Sequence, residues 1–188
     1  KPFYRHTEDV VERIVEFEDN VSISRPENVG TSNTTGIEFN AKYIPANWVS
    51  FTNDFNYSHF AREGDFEGSS FDFTGDQWST RLTGKFKLPA DIDIELIGNY
   101  RSNYRTLQQE VSENLFMDFG ARKKILKGKA IVNLSVRDVF ASRISESITT
   151  QPTYYLRDYS KRGRFITLGI SFGFGKGEAM EFSGQKHF

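Results

Sequence analysis

KAIVNLSVRDVF, residues 129–140, is the stretch on which the reading of the fold turns. Ala130, Val132, Leu134 and Val136 share one parity; Asn133, Ser135 and Arg137 share the other, with Ile131 the exception. Successive side chains of a strand point to opposite faces, so the run predicts a β-strand with an apolar and a polar side. Lys127-Gly128 marks a tight turn just before it.

The same design repeats outward from this strand. Gly36–Tyr43 sets Ile37, Phe39, Ala41 and Tyr43 against Glu38, Asn40 and Lys42. Trp48–Phe60 sets Val49, Phe51, Phe55 and Tyr57 against Ser50, Thr52, Asp54, Asn56 and Ser58. Trp78–Leu88 places Leu82 and Phe86 opposite Arg81 and Lys85, and Ile92–Tyr100 places Ile94 and Leu96 opposite Glu95, with Arg101 next on the charged side. Leu115–Ala121 carries Phe119 against Asp118 and Arg122. Phe165–Phe174 carries Ile166, Leu168, Ile170, Phe172 and Phe174 against Thr167 and Ser171. At the front, Phe3–Phe17 reads as one extended segment with mixed faces that runs on into solvent. Between these runs lie polar connections: long at 18–33, 62–76 and 141–162, intermediate at 108–114, and brief at Pro45, Pro89 and Gly128. No stretch combines helix caps with a 3.6 period.

Composition narrows the function classes. The 188 residues carry 24 basic and 25 acidic side chains, net charge -1, which gives no reason to expect nucleic acid. KKILKGK at 123–129 is the one basic cluster, and such a run reads as a solvated turn. With no cysteine there is no disulfide and no thiolate metal site. Hydrophobic residues reach only 37% while aromatics reach 15%, a balance that suits an all-β chain. No run approaches the roughly 20 apolar residues of a membrane helix. Strands of outer-membrane barrels need only about ten alternating residues, a pattern that hydropathy averaging hides. The chain starts at once with strand-like residues, PFYRH, and without a leader pattern, so it reads as cut from something longer or already processed.

Two features point to such a barrel. In an up-and-down antiparallel sheet the short turns gather at one end and the long loops at the other, the asymmetry of outer-membrane barrels. Full charges also sit deep in the strands, at Glu38, Lys42, Asp54, Arg81, Lys85, Glu95, Arg101, Arg122 and Arg137. A wet lumen can host these, while Phe39, Phe51, Phe55, Leu82, Phe86, Leu96, Phe119, Val132, Leu134, Leu168, Ile170 and Phe172 face lipid. Tyr43, Trp48, Trp78, Tyr100 and Phe174 fall where an interfacial aromatic girdle would lie, or pack at sheet edges. Alternation alone does not say which face is outside: a soluble calyx-type barrel of eight strands has the same parity.

Three segments resemble a known family. ENVGTSNTTGIEFNAKYIPANWVSFTNDFNYS at 27–58 is similar to a hairpin near the end of TonB-dependent outer-membrane receptors, closest to the outer-membrane β-barrel family of Bacteroidetes. NLSVRDVFASR at 133–143 resembles that family's late strand and turn, and FITLGISFGFGKGEAMEFSG at 165–184 resembles its last strand and polar tail. The resemblance implies an all-β, antiparallel transmembrane barrel of about 22 strands, of which residues 1–174 supply about eight C-terminal ones and 175–188 a polar tail. It implies nutrient import across the bacterial outer membrane and no enzyme or cofactor. The implied partners are lipid, an N-terminal plug with the remaining strands of the same protein, TonB and a surface lipoprotein. The alternatives are a scaffold of the same family in an outer-membrane complex, or a self-contained eight-strand ligand-binding barrel. Phe174, with Phe188 as runner-up, is the expected closing aromatic of the last strand. Tyr154 and Tyr155 are the expected external-loop contacts.

Other chemistry finds little footing. Gly169-Ile170-Ser171-Phe172-Gly173 matches G-x-S-x-G, but a nucleophile elbow needs a strand-to-helix turn and Ser171 sits on the polar side of a strand. His6, His59 and His187 have no metal-ligand spacing. The acidic loops, Glu16/Glu18/Asp19 and Asp65/Asp72/Asp76, lack EF-hand spacing.

Overall fold

The computed structural model describes residues 1–19, 21–66, 68–151 and 154–173. Among these residues fourteen strands appear in chain order: β1 (Pro2–Thr7), β2 (Val11–Glu18), β3 (Val21–Asn28), β4 (Thr31–Ala46), β5 (Val49–Phe66), β6 (Ser69–Leu88) and β7 (Ile92–Arg101). They continue with β8 (Tyr104–Arg105), β9 (Gln109–Val111), β10 (Asn114–Ile125), β11 (Ala130–Arg137), β12 (Ile144–Thr150), β13 (Tyr155–Lys161) and β14 (Phe165–Phe172). The one helical piece among the described residues is a 3-10 turn, Leu126–Gly128, at the expected Lys127-Gly128 turn.

Eight strands form one antiparallel sheet in the order β1-β4-β5-β6-β7-β10-β11-β14. The sheet is open: β1 and β14 each have a neighbour on one side only, so the described strands close no barrel among themselves. The short connections β4–β5, β6–β7 and β10–β11 all lie at one end. Between β6 and β7, Ala90 and Asp91 both adopt positive φ in the three-residue turn that joins Leu88 to Ile92.

The other end departs from the sequence reading. The expected loop 18–33 holds β3 and the start of β4, and Phe3–Phe17 divides into β1 of the main sheet and most of β2, which pairs with β3 in a separate two-stranded sheet. The expected loop 62–76 is the paired continuation of β5 and β6, register Arg62↔Phe73 through Phe66↔Ser69. The link at 108–114 holds β9 and the one at 141–162 holds β12 and β13; with β8, just upstream at Tyr104–Arg105, they form a second sheet in the order β13-β12-β9-β8. The strand expected to reach Phe140 stops at Arg137. Phe174 and the tail 175–188 lie outside the described residues.

These outer strands have a core of their own. Ile14, Val15, Val29, Phe60 and Val111 are buried. Phe60 packs edge-on to Phe73 at 6.2 Å between centroids, with Gly75 beneath its ring, where no larger side chain has room. The Val15 amide donates to Gln108 Oε1 (2.9 Å) and the Leu107 amide to Glu12 Oε2 (2.9 Å), which fastens the hairpin to the second sheet. Glu12 also pairs with Arg62, whose guanidinium burial pushes toward a lower pKa.

Candidate functional site

Residues paired directly across strands lie on the same face, so the register fixes which side chains go together. One row runs Tyr43–Phe51–Gly84–Leu96–Phe119–Val136–Ile166, the next Val49–Phe86–Ile94–Ala121–Leu134–Leu168. On the opposite face run Asn40–Asp54–Arg81–Asn99–Phe116 and Lys85–Glu95–Gly120–Ser135–Thr167. Apart from a one-residue register shift between Tyr43 and Ala46 at the β4–β5 turn, the pairing runs in one register along each ladder of the eight. Phe39, Phe55, Leu82, Val132, Ile170 and Phe172 therefore share the first face with Phe51, Phe86, Leu96, Phe119, Leu134 and Leu168. Glu38, Lys42, Arg101, Arg122 and Arg137 share the second with Asp54, Arg81, Lys85 and Glu95. Along the second face Lys85 Nζ meets Glu95 Oε2 at 3.0 Å.

The apolar face is uncovered. Phe39 is 56% exposed, Leu82 50%, Leu168 66% and Ile170 70%, a contiguous greasy surface of the kind that marks contact with a membrane or another protein surface. Its height is limited. From Val49 to Tyr57 it runs ~27 Å along the strand at ~3.4 Å per residue, or ~20 Å in height at a tilt of about 40°, close to the roughly 25 Å band of outer-membrane barrels. Trp48 and Tyr43 stand at its short-turn end; Trp78 and Tyr100 stack 4.4 Å apart at the other.

Beyond Trp78 the two faces exchange character. On the face that carried Phe55 and Tyr57, β5 and β6 continue with the pairs His59↔Asp76, Ala61↔Thr74 and Glu63↔Asp72. On the face that carried Asp54 and Asn56 they continue with Phe60↔Gly75, Arg62↔Phe73 and Gly64↔Phe71. At 18 and 20 residues these strands are about twice the length a membrane crossing needs. The excess forms the projecting portion with its own aromatic core.

The polar face is concave and holds a cavity of about 1050 Å³ at the end where the long connections leave. Arg81 and Arg101 line its wall, with Glu38, Asp54, Asn99, Asn114 and Phe116; Arg143, Ser145, Ser160 and Arg162 reach it from the β12–β13 hairpin. Asp138 places that hairpin. The residue is 2% exposed, and its carboxylate accepts from the Ser142 amide (2.9 Å) and the Arg143 amide (3.0 Å). Its own amide donates to Asp118 Oδ1 (2.8 Å). The turn sets the Arg143 guanidinium 4.4 Å from the centroid of Phe116. Asn114 donates to the Ile144 carbonyl and closes the same corner.

Of the remaining sequence candidates, Ser171 lies inside β14 opposite Ile131. His59 Nδ1 meets Asp76 Oδ1 at 3.0 Å. Among the described residues no His, Asp and Glu converge in a metal-ligating group. Tyr154 donates its hydroxyl to the Val15 carbonyl and so ties the second sheet to the β2–β3 hairpin, whereas Tyr155 is 63% exposed. Arg157 on β13 donates to Glu146 Oε1 at 2.6 Å, which holds its pKa above the usual value. Arg143, Arg162 and Asp138 were not among the sequence candidates; the signal was the Asp-x-x-x-Ser turn chemistry inside DVFASR.

A family model describing an outer membrane protein beta-barrel family matches residues 1–174. The chain belongs to this family. As a member of the outer membrane protein beta-barrel family it resides in the outer membrane, in keeping with its all-β antiparallel fold. No curated protein and no solved structure shows a significant match.

Proposed function

We propose that the chain is the C-terminal wall of a TonB-dependent outer-membrane receptor that imports a nutrient. In this reading the Leu134–Leu168 face meets lipid and the Arg81–Arg137 face lines a lumen. The observation that carries the orientation is the exchange of character at Trp78. A soluble sheet has no reason to be greasy outside for ~20 Å and then turn polar outside and aromatic inside. A strand that leaves hydrocarbon for water has that reason.

The open edges of β1 and β14 support a barrel wider than eight strands, because unpaired backbone is intolerable in lipid. A wide lumen walled by charged and amide side chains suits passage of a polar solute. The motifs at 27–58, 133–143 and 165–184 favour import over a scaffold role, and a plug, TonB and a surface lipoprotein are the partners that follow. Growth of a strain that depends on the full-length protein, on one limiting nutrient at a time and with or without TonB, tests the reading. Uptake should vanish when TonB is removed; a nutrient-linked phenotype that persists without it overturns import in favour of the scaffold.

A further inference from the structure

The concavity under the β12–β13 hairpin is unbalanced in charge. Lys1, Arg81, Arg101, Arg143 and Arg162 line it against the carboxylates of Glu38 and Asp54 only. Asp54 is already engaged by the Asn40 side-chain amide. Among the described residues, Arg81, Arg101, Arg143 and Arg162 have no carboxylate within ion-pair distance.

The placement of these groups is specific. Arg81 pairs with Asn99 and Arg101 with Ser79 on adjacent strands, so the two arginines are diagonal neighbours on one face, about 7–8 Å apart at Cα. Asn99 pairs in turn with Phe116, over whose ring Arg143 lies. The Arg162 amide donates to the Arg143 carbonyl (3.2 Å), so both roof arginines leave from the two legs of one hairpin. Arg101 Nε is shut off from solvent without a hydrogen-bond partner. Guanidinium forks match carboxylate and phosphate oxygens two at a time.

We propose that this concavity is an oxyanion-recognition site at the outer mouth of the lumen, and that it takes a small solute bearing several carboxylate or phosphate groups. Arg81 and Arg101 hold the solute from the wall and Arg143 and Arg162 from the roof, with Asp138 as the positioning residue for Arg143. The inference rests on the polar face being the lumen wall.

The test uses the full-length protein in detergent and isothermal titration with citrate, pyrophosphate and the neutral sugar raffinose. At least one of the two anions should bind, more weakly as salt rises, and raffinose should not. Arg81→Gln and Arg143→Gln should each weaken binding about tenfold, the worth of one charge-assisted contact. Arg143→Lys should recover part of the loss, and Lys85→Gln, on the same face outside the concavity, should leave affinity unchanged. Heat-modifiable gel migration confirms that each variant is folded. Failure of both anions to bind, or equal losses from Lys85→Gln and Arg143→Gln, overturns the proposal. Labelling of Asn99→Cys by a water-soluble maleimide in intact outer membranes separates the two layers. Labelling without anion binding overturns the site alone, and absence of labelling overturns the lumen wall and the site with it.

Discussion

Asp138 shows how much one side chain decides. Its φ of 52° is a left-handed conformation that Asp and Asn adopt more readily than other residues with a Cβ. Its buried carboxylate satisfies the amides of Ser142 and Arg143, which would otherwise be left without partners where β11 gives way to the hairpin. Asp138→Ala removes these acceptors and adds backbone strain, so it should cost about 2–3 kcal/mol of stability. Asp138→Asn keeps the φ preference and one acceptor and should cost about 1 kcal/mol. Denaturant unfolding of the full-length protein in detergent compares the two. Equal and negligible losses would mean the turn is held by something other than this carboxylate. The sequence showed the turn's chemistry in DVFASR but not its destination, because only the folded turn carries Arg143 across to Phe116.

At the scale of the strand, legibility followed the hydrophobic pattern. The runs at 36–43, 92–100 and 165–172 alternate polar with greasy along their length, with Ile97 alone breaking the second, and they lie inside β4, β7 and β14. Residues 62–76 looked like a loop for a physical reason: past Tyr57 the apolar positions change parity, to Phe60, Phe71 and Phe73. A strand whose surroundings change along its length breaks its own alternation without ceasing to be a strand. β12, with the sequence ISESITT, was hidden by a different cause, too few apolar residues to set a period. β8 and β9 are too short for any period to register. Leu134 and Ser135 probe the part that stayed legible. They are neighbours on opposite faces, so Leu134→Arg should cost about 2–4 kcal/mol when the protein folds into bilayers, and Ser135→Arg much less. Comparable penalties in a vesicle folding titration would count against the facing.

For the whole molecule, the eight-stranded sheet and the cored projection at one end amount to a wall and a built rim. Outer-membrane residence and barrel membership follow from the family. The rim was invisible in the sequence because its contacts join distant segments: Glu12 with Arg62, Val15 with Gln108 and Tyr154. No local period encodes such pairings. The central claim is that the uncovered apolar face meets hydrocarbon only as far as Trp78, after which the faces trade roles. Spin labels on single cysteines of the full-length protein in bilayers read this directly, through relative accessibility to oxygen, enriched in lipid, and to a polar nickel chelate, enriched in water. Labels at Phe51, Phe55, Leu134 and Leu168 should favour oxygen; labels at Thr52, Asp54, Ser135 and Thr167 should favour nickel. At His59 and Ala61, on the same face as Phe55, the preference should switch to nickel. Oxygen preference at Asp54 and Ser135 with nickel preference at Phe55 and Leu134, or no switch between Phe55 and His59, would contradict the account.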